Sequence, residues 1–413
     1  MKEEYPTLSL KERDRRWRNL RELMKKEKID CLLVAGLRSR EQLDLYISNG
    51  VSSGGFVIFP IEGEPISLYP FNEVKISHWE SVRRGEQLWI NDVRVHRPLG
   101  EGLALVIKEL GYDKSDIGVV GLGGFGRESE GWIPHYMWLG VEKRLPEASF
   151  RDFTSQYIEL VAIKSEEEMK LIKKSAEIGE LACEEMVKRT KPGVTESEIY
   201  AAVMYVLFSH GATGGITPYT TPLILHSGPD NPSWGAPRWL VRAQPPPVLK
   251  AGDVLVAEIF SRYGGMETQQ QPTIALKPVD PVNKKCAEIA RKSYEAGIKA
   301  LKPGVKFGEV ANAMEAPFKE EKDAWFISLI HSVSPIRDLG GASFVGAGKE
   351  FKYKDILPAP VRGADVIIKP GMVFVLEPTG CIGTHHVRVG GTCIVTKTGC
   401  LELSKLSTEM QIV

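Results

Sequence analysis

Apolar positions along this chain recur with two different periods, and the change between them marks out its elements. From Arg13 to Ile29 ("RDRRWRNLRELMKKEKI") the apolar residues Trp17, Leu20 and Leu23 recur at helical spacing. Arg13, Arg15, Arg16, Arg18 and Arg21 fill the positions between them. This predicts an amphipathic helix whose basic face is wet. "DCLLVAG" then reads as a buried strand, and "GGFVIFP", "EPISLYP", "DIGVVGL" and "RLPEASFRDF" as further short strands between turn residues. The expectation is an α/β domain over residues 1–155 and a second domain over 156–413.

Ser165-Glu166-Glu167-Glu168 predicts the start of a long helix, with Ser165 as N-cap and Glu168 at the capping-box position. Met169, Ile172, Ala176, Ile178 and Ala182 continue its apolar face, and Lys191-Pro192-Gly193 ends it. A second helix is expected from about Glu196 to His210, capped by Thr195.

The pattern then repeats. "TKPGVTESEIYAAV" (190–203) is similar to "LKPGVKFGEVANAM" (301–314), and "LKAGDVLVAE" (249–258) to "IKPGMVFVLE" (368–377). Two copies of a helix-helix-strand unit are too few for a solenoid. They predict one compact domain with pseudo-two-fold symmetry. Glu258 and Glu377 end the equivalent strands. A pseudo-axis would bring the two carboxylates into one cleft, where they must bind a cation, share a proton or have split pKa values.

Composition excludes several function classes. The 413 residues carry 53 Lys+Arg and 53 Asp+Glu, which favours neither nucleic acid nor an anionic membrane as partner. No apolar run reaches the length of a membrane span, and the first residues lack the apolar core of a signal peptide. The six cysteines are scattered without a CxxC pair, so a cytoplasmic protein with reduced thiols and no cysteine-bound metal is expected.

One short stretch does not fit a simple strand. "GGMETQQQPT" (264–273) sets Gln269, Gln270 and Gln271 just after an apolar strand. Amides are costly to bury without partners, so the run is either a solvated turn or the wall of a polar cavity.

"LVAIKSEEEMKLIKKSAEIGELACEEMVKRTKPGVTESEIYAAV", "AGDVLVAEIF", "KPGMVFVLEP" and "VRVGGTCIVTKTG" together resemble the creatinase/aminopeptidase P/prolidase family. The resemblance implies a creatinase-like N-terminal α/β domain, a pita-bread catalytic domain and a homodimer with sites near the subunit boundary. Peptidases of that family hold two divalent metals through Asp, Asp, His, Glu and Glu. On this chain the first Asp position falls on Glu258, the second on Gln269, the His on His331 in "IHSVS" and the first Glu on Glu377 in "VLEP". The second Glu position falls on Gly390, and Arg388 matches the arginine of that strand. The family's late substrate-facing histidine is replaced by Trp234 or Gly235, while His226 lies earlier.

With two of five ligands gone, the resemblance implies no dinuclear metal centre and no bound cofactor. A single divalent metal on Glu258, His331 and Glu377 is the alternative. The expected function is a non-peptidase hydrolase acting on a C–N bond of a small polar metabolite. Glu258 and Glu377 would hold a cationic or amide group, and His331 would act as general acid and base. Gln269, Gln271, His226 and Arg388 would contact substrate, with Arg388 acting more as a salt-bridge partner than as a catalyst. The alternatives are an Xaa-Pro-type metallopeptidase with one metal, a lyase, and a non-catalytic pita-bread binding protein. His385 and His386 are read as a loop bordering the cleft, and the glycine- and lysine-containing insertion at 339–365 as a flap.

Overall fold

The computed structural model describes residues 5–37, 42–50, 54–125, 130–213, 223–230, 235–333, 339–343 and 360–413. Trp234 and most of the 339–365 insertion lie outside the described residues. The chain divides into two compact units, one of Thr7–Val161 and one of Ala162–Val413 joined by Tyr5 and Pro6.

The first unit runs α1 (Leu10–Glu27), β1 (Cys31–Ala35), α2 (Leu45–Ser48), β2 (Phe56–Pro60), β3 (Ile66–Tyr69), α3 (Asn72–Arg83), β4 (Asp92–Val95), α4 (Leu99–Glu109), β5 (Asp116–Val120), α5 (His135–Glu142), β6 (Ser149–Asp152) and α6 (Thr154–Val161). Its mixed sheet has the order β4-β3-β2-β1-β5-β6. Strands β1, β2 and β3 are buried along their whole length, which explains their unbroken apolar runs. Leu103 and Ile107 of α4 and Val141 of α5 pack on Leu33, Ile58, Leu68 and Val119.

One arginine of α1 departs from the wet face that the spacing predicts. Arg16 is 1% exposed and donates from Nε to Glu12 Oε1 at 2.8 Å and from Nη1 to the Tyr46 carbonyl at 3.1 Å. Its guanidinium also lies over the rings of Tyr46 and Trp89. Those partners are distant in sequence, so helical spacing alone cannot reveal them.

The second unit contains α7 (Glu166–Arg189), α8 (Glu196–Ser209), β7 (Leu223–Gly228), α9 (Arg238–Val241), β8 (Val254–Tyr263), β9 (Met266–Gln270), β10 (Thr273–Ala275), α10 (Pro281–Ala300) and α11 (Phe307–Lys319). There follow β11 (Ala324–Phe326), β12 (Ser328–Ser332), β13 (Gly341–Ser343), β14 (Val373–Leu376), β15 (Thr379–Ile382), β16 (His385–Arg388), β17 (Gly391–Val395), β18 (Cys400–Glu402) and β19 (Gln411–Ile412). Capping boxes at Ser165/Glu168 and Thr195/Glu198 start α7 and α8.

The sequence repeat is visible in the pairing. Strand β8 lies antiparallel to β7 and β9, and β14 lies antiparallel to β12 and β17. The two trios meet where Gln270 of β9 pairs with Gly391 of β17. The loops match as well. Leu249 N donates to Val194 O and Gly193 N to Leu249 O, just as Ile368 N donates to Val305 O and Gly304 N to Ile368 O. A smaller sheet, β11-β15-β16, lies beside α10.

The Glu12–Arg16 pair gives a stability test. Glu12 is 4% exposed. Burial would raise its pKa, but hydrogen bonds and charge from Arg15 and Arg16 outweigh burial and hold it below the ordinary 4.5. A lowered folded pKa means that the carboxylate's contribution is complete above pH 4.5 and is lost as pH falls through the folded value. Glu12→Gln removes a carboxylate hydrogen-bonded to the buried Arg16 and should cost roughly 3 kcal/mol at neutral pH. Urea denaturation of the full chain should show that difference at pH 7 and show it shrinking below pH 4.5.

Candidate functional site

Three buried side chains converge from the two halves of the repeat. Glu258 projects from β8, His331 from β12, and Glu377 follows directly on β14, where its backbone N donates to Leu329 O at 2.7 Å. All three are at most 3% exposed. Each presents a ligand atom, and these atoms lie within 4.8 Å of one another.

Neighbouring groups fix each member. Arg388, at the end of β16, donates from Nη1 to Glu258 Oε2 at 3.0 Å, and its Nε donates to Thr379 Oγ1 at 3.1 Å. Gln271 donates from Nε2 to Glu377 Oε2 at 2.9 Å. Glu377 Oε1 accepts from Ser328 Oγ and lies 3.4 Å from His331 Nε2. His331 Nδ1 faces the Ser332 carbonyl at 2.6 Å, so it carries a hydrogen and Nε2 is the nitrogen turned toward the carboxylates.

Two carboxylates against one guanidinium leave the site anionic when His331 is neutral. Burial pushes the His331 pKa down, but the Glu377 and Glu258 carboxylates and the Ser332 carbonyl outweigh burial and raise it. Burial likewise opposes ionisation of Glu377, and His331, Arg388 and Ser328 overcome it, so its pKa is lowered. The same carboxylates that favour a positive charge on His331 would favour a cation in its place. Two carboxylate oxygens and an imidazole nitrogen form a donor set that suits a divalent metal ion.

The remaining expected residues divide. Gln271 and Arg388 stand in the cluster. Gln269 stands one step back: its Nε2 donates to Glu267 Oε1 at 2.8 Å, and its Oε1 accepts a long 3.4 Å contact from Gln271. All three glutamines are 0% exposed, so the run is an interior wall and not a turn. His226 is buried and faces the Gly235 carbonyl through Nε2 at 2.9 Å, outside the three-residue donor group. Gly390 has φ +127°, and a Cβ there would lie 1.9 Å from Leu376 O. The backbone leaves no room for a side chain at that position.

His386 was missed. It belongs to strand β16, not to a loop, and is 2% exposed. Burial pushes its pKa down to about 3, with Arg388, His226 and His385 adding to the effect. The available signal was its spacing of two from Arg388, which on a strand means a shared face.

Among the described residues, no helix is long and apolar enough to cross a membrane. The chain is 23% identical over 397 residues to an Xaa-Pro dipeptidase of Pyrococcus horikoshii, covering 94% of this chain and 96% of that one. It is 27% identical over 291 residues to an uncharacterized peptidase of Methanocaldococcus jannaschii, covering 68% of this chain and 76% of that protein. The fold is similar to that of an X-Pro aminopeptidase from Thermotoga maritima, with a TM-score of 0.73, 18% identity and coverage of 96% and 99%. The profile of Metallopeptidase family M24 matches residues 170–397, more than half of the chain. This overturns the expectation of no cofactor. The family is one of metallopeptidases, and Glu258, His331 and Glu377 offer a metal-ligand constellation. The resemblance read from the sequence and the mixed α/β architecture therefore hold, and the chain belongs to Metallopeptidase family M24.

Proposed function

We propose that this chain is a metal-dependent hydrolase of a C–N bond in a small amide or dipeptide, with Glu258, His331 and Glu377 holding one divalent ion. Xaa-Pro dipeptides are the first substrate class to test, because the Pyrococcus horikoshii relative carries that name. The observation that carries the reading is the convergence of three buried donors. The amide at Gln269 and the closed backbone at Gly390 favour one ion over two.

A bound divalent ion would polarise a substrate carbonyl and lower the pKa of a water molecule. The protein's own groups prepare the site for that chemistry. The Ser332 carbonyl fixes the His331 tautomer, so the Nε2 lone pair of the neutral ring points inward. Arg388 pins one oxygen of Glu258, while Gln271 and Ser328 hold both oxygens of Glu377. The donors then need little reorganisation, which is the main requirement for electrostatic preorganisation.

Calorimetry with Mn, Co or Zn should find about one ion per chain, and His331→Ala or Glu377→Gln should weaken binding by more than about 100-fold. Loaded protein should hydrolyse Xaa-Pro dipeptides, and chelator should abolish the activity. Unchanged ion binding in both variants would sink the assignment.

The role given to Arg388 predicts a separate stability effect. Arg388→Leu strands the Glu258 carboxylate in the interior and should cost about 3–5 kcal/mol in chelator. Adding Glu258→Gln should recover much of that loss in urea denaturation. Purely additive losses would show that the two side chains do not depend on each other.

A further inference from the structure

Among the described residues, neither ring nitrogen of His386 has a hydrogen-bond partner, although the side chain is buried. Leaving a buried polar group unserved is costly, so such a group calls for a partner that arrives with water or ligand.

Strand alternation sets the direction in which this imidazole points. His385 turns toward α10, where its Nδ1 faces Asn283 Oδ1 at 3.0 Å. His386 therefore projects from the opposite face, the one from which Arg388 reaches Glu258. Two residues of strand separate His386 from Arg388, roughly 7 Å. Cys381 pairs with His386, and Trp325 pairs with Cys381, so this row gives the imidazole an apolar floor.

His226 comes to the same place from β7. It pairs with Val256, two residues before Glu258, so it shares the face of Glu258. Its Nε2 is taken by the Gly235 carbonyl, which leaves Nδ1 as an acceptor. Burial first, then the charges of Arg238 and Arg388, pushes His226 toward the neutral form against the pull of the Gly235 carbonyl, and burial followed by Arg388 does the same for His386. Arg388 is itself matched by Glu258. The two imidazoles thus present polar atoms rather than charge to a ligand. One neutral imidazole offers one donor and one acceptor. Its complement is an uncharged group that also does both.

We propose that His386, with His226 beside it, forms a subsite next to Glu258 that binds an uncharged donor–acceptor group of the substrate, a carboxamide or a hydroxyl. This deepens the hydrolase reading by naming a feature of its substrate, and it rests on that reading only for the link to cleavage.

The test is a titration of the histidine-labelled, metal-free full chain, following ring nitrogens by two-bond proton–nitrogen NMR. Acetamide and acetate are the probes, and His386→Phe assigns the signal. Acetamide should shift both His386 nitrogens saturably. His386→Phe should weaken acetamide binding at least tenfold, while His386→Asn, which keeps a donor and an acceptor, should retain most of it. Acetate binding with conversion of the ring to imidazolium would overturn the uncharged class. Silence toward both probes would make His386 a structural histidine and overturn the subsite. If His386→Phe does not fold, His386→Asn, which also removes the ring, assigns the signal and the wild-type titration still decides. The readout needs neither ion nor turnover, so its failure is distinguishable from failure of metal binding at Glu258, His331 and Glu377.

Discussion

The site depends on one buried ion pair. Arg388 and Glu258 are 1% and 0% exposed, and their 3.0 Å contact spans the two halves of the repeat, from β16 to β8. Without the guanidinium, Glu258 and Glu377 would be two anions competing for one dry cleft, and at least one would take up a proton. With it, part of the paired negative charge is offset at Glu258. The pair is not a simple source of stability, because burying two charges offsets much of their attraction. What it secures is position. The Gln271 amide donates to Glu377 and accepts a long contact from Arg388, so both carboxylates are referenced to one rigid group.

The three glutamines follow from the same constraint. A carboxylate at 271 would add a third anion beside Glu377, whereas an amide can donate to Glu377 and accept from Arg388 at once. Gln269 serves a neighbouring need by donating to Glu267, which is also buried. Neutral side chains are what allow this wall to be polar and dry together. Gly390 obeys a different rule: the chain passes so close to Leu376 O that only hydrogen fits.

Much of this was legible in the sequence because it is periodic or repeated. The matching "KAGDVLVAE" and "KPGMVFVLE" strands placed Glu258 and Glu377 at equivalent positions, and the capping pairs Ser165/Glu168 and Thr195/Glu198 marked the helix starts. What escaped depends on contacts between distant segments. Arg16 looked like surface because its partners Tyr46 and Trp89 are supplied by the fold. His386 looked like loop because its strand exists only through pairing with β15 across a tight turn at Gly383 and Thr384. The direction of the Gln269 amide was likewise invisible, since two neighbours, Glu267 and Gln271, compete for it at the same spacing.

The two histidine environments push imidazoles of one cleft in opposite directions. His331 and His386 are both buried, and burial pushes both toward the neutral form. Their neighbours decide the outcome. His331 faces the carboxylates of Glu377 and Glu258, which favour a positive charge at that point. His386 lies on the side of Arg388, which disfavours one. The side of the cleft that carries Glu377 thus favours a cation, and the side that carries Arg388 does not. A divalent ion entering this cleft would be drawn to Glu258, His331 and Glu377 and away from His226 and His386. In the proposed subsite, the imidazoles on the Arg388 side would then meet an uncharged part of the ligand.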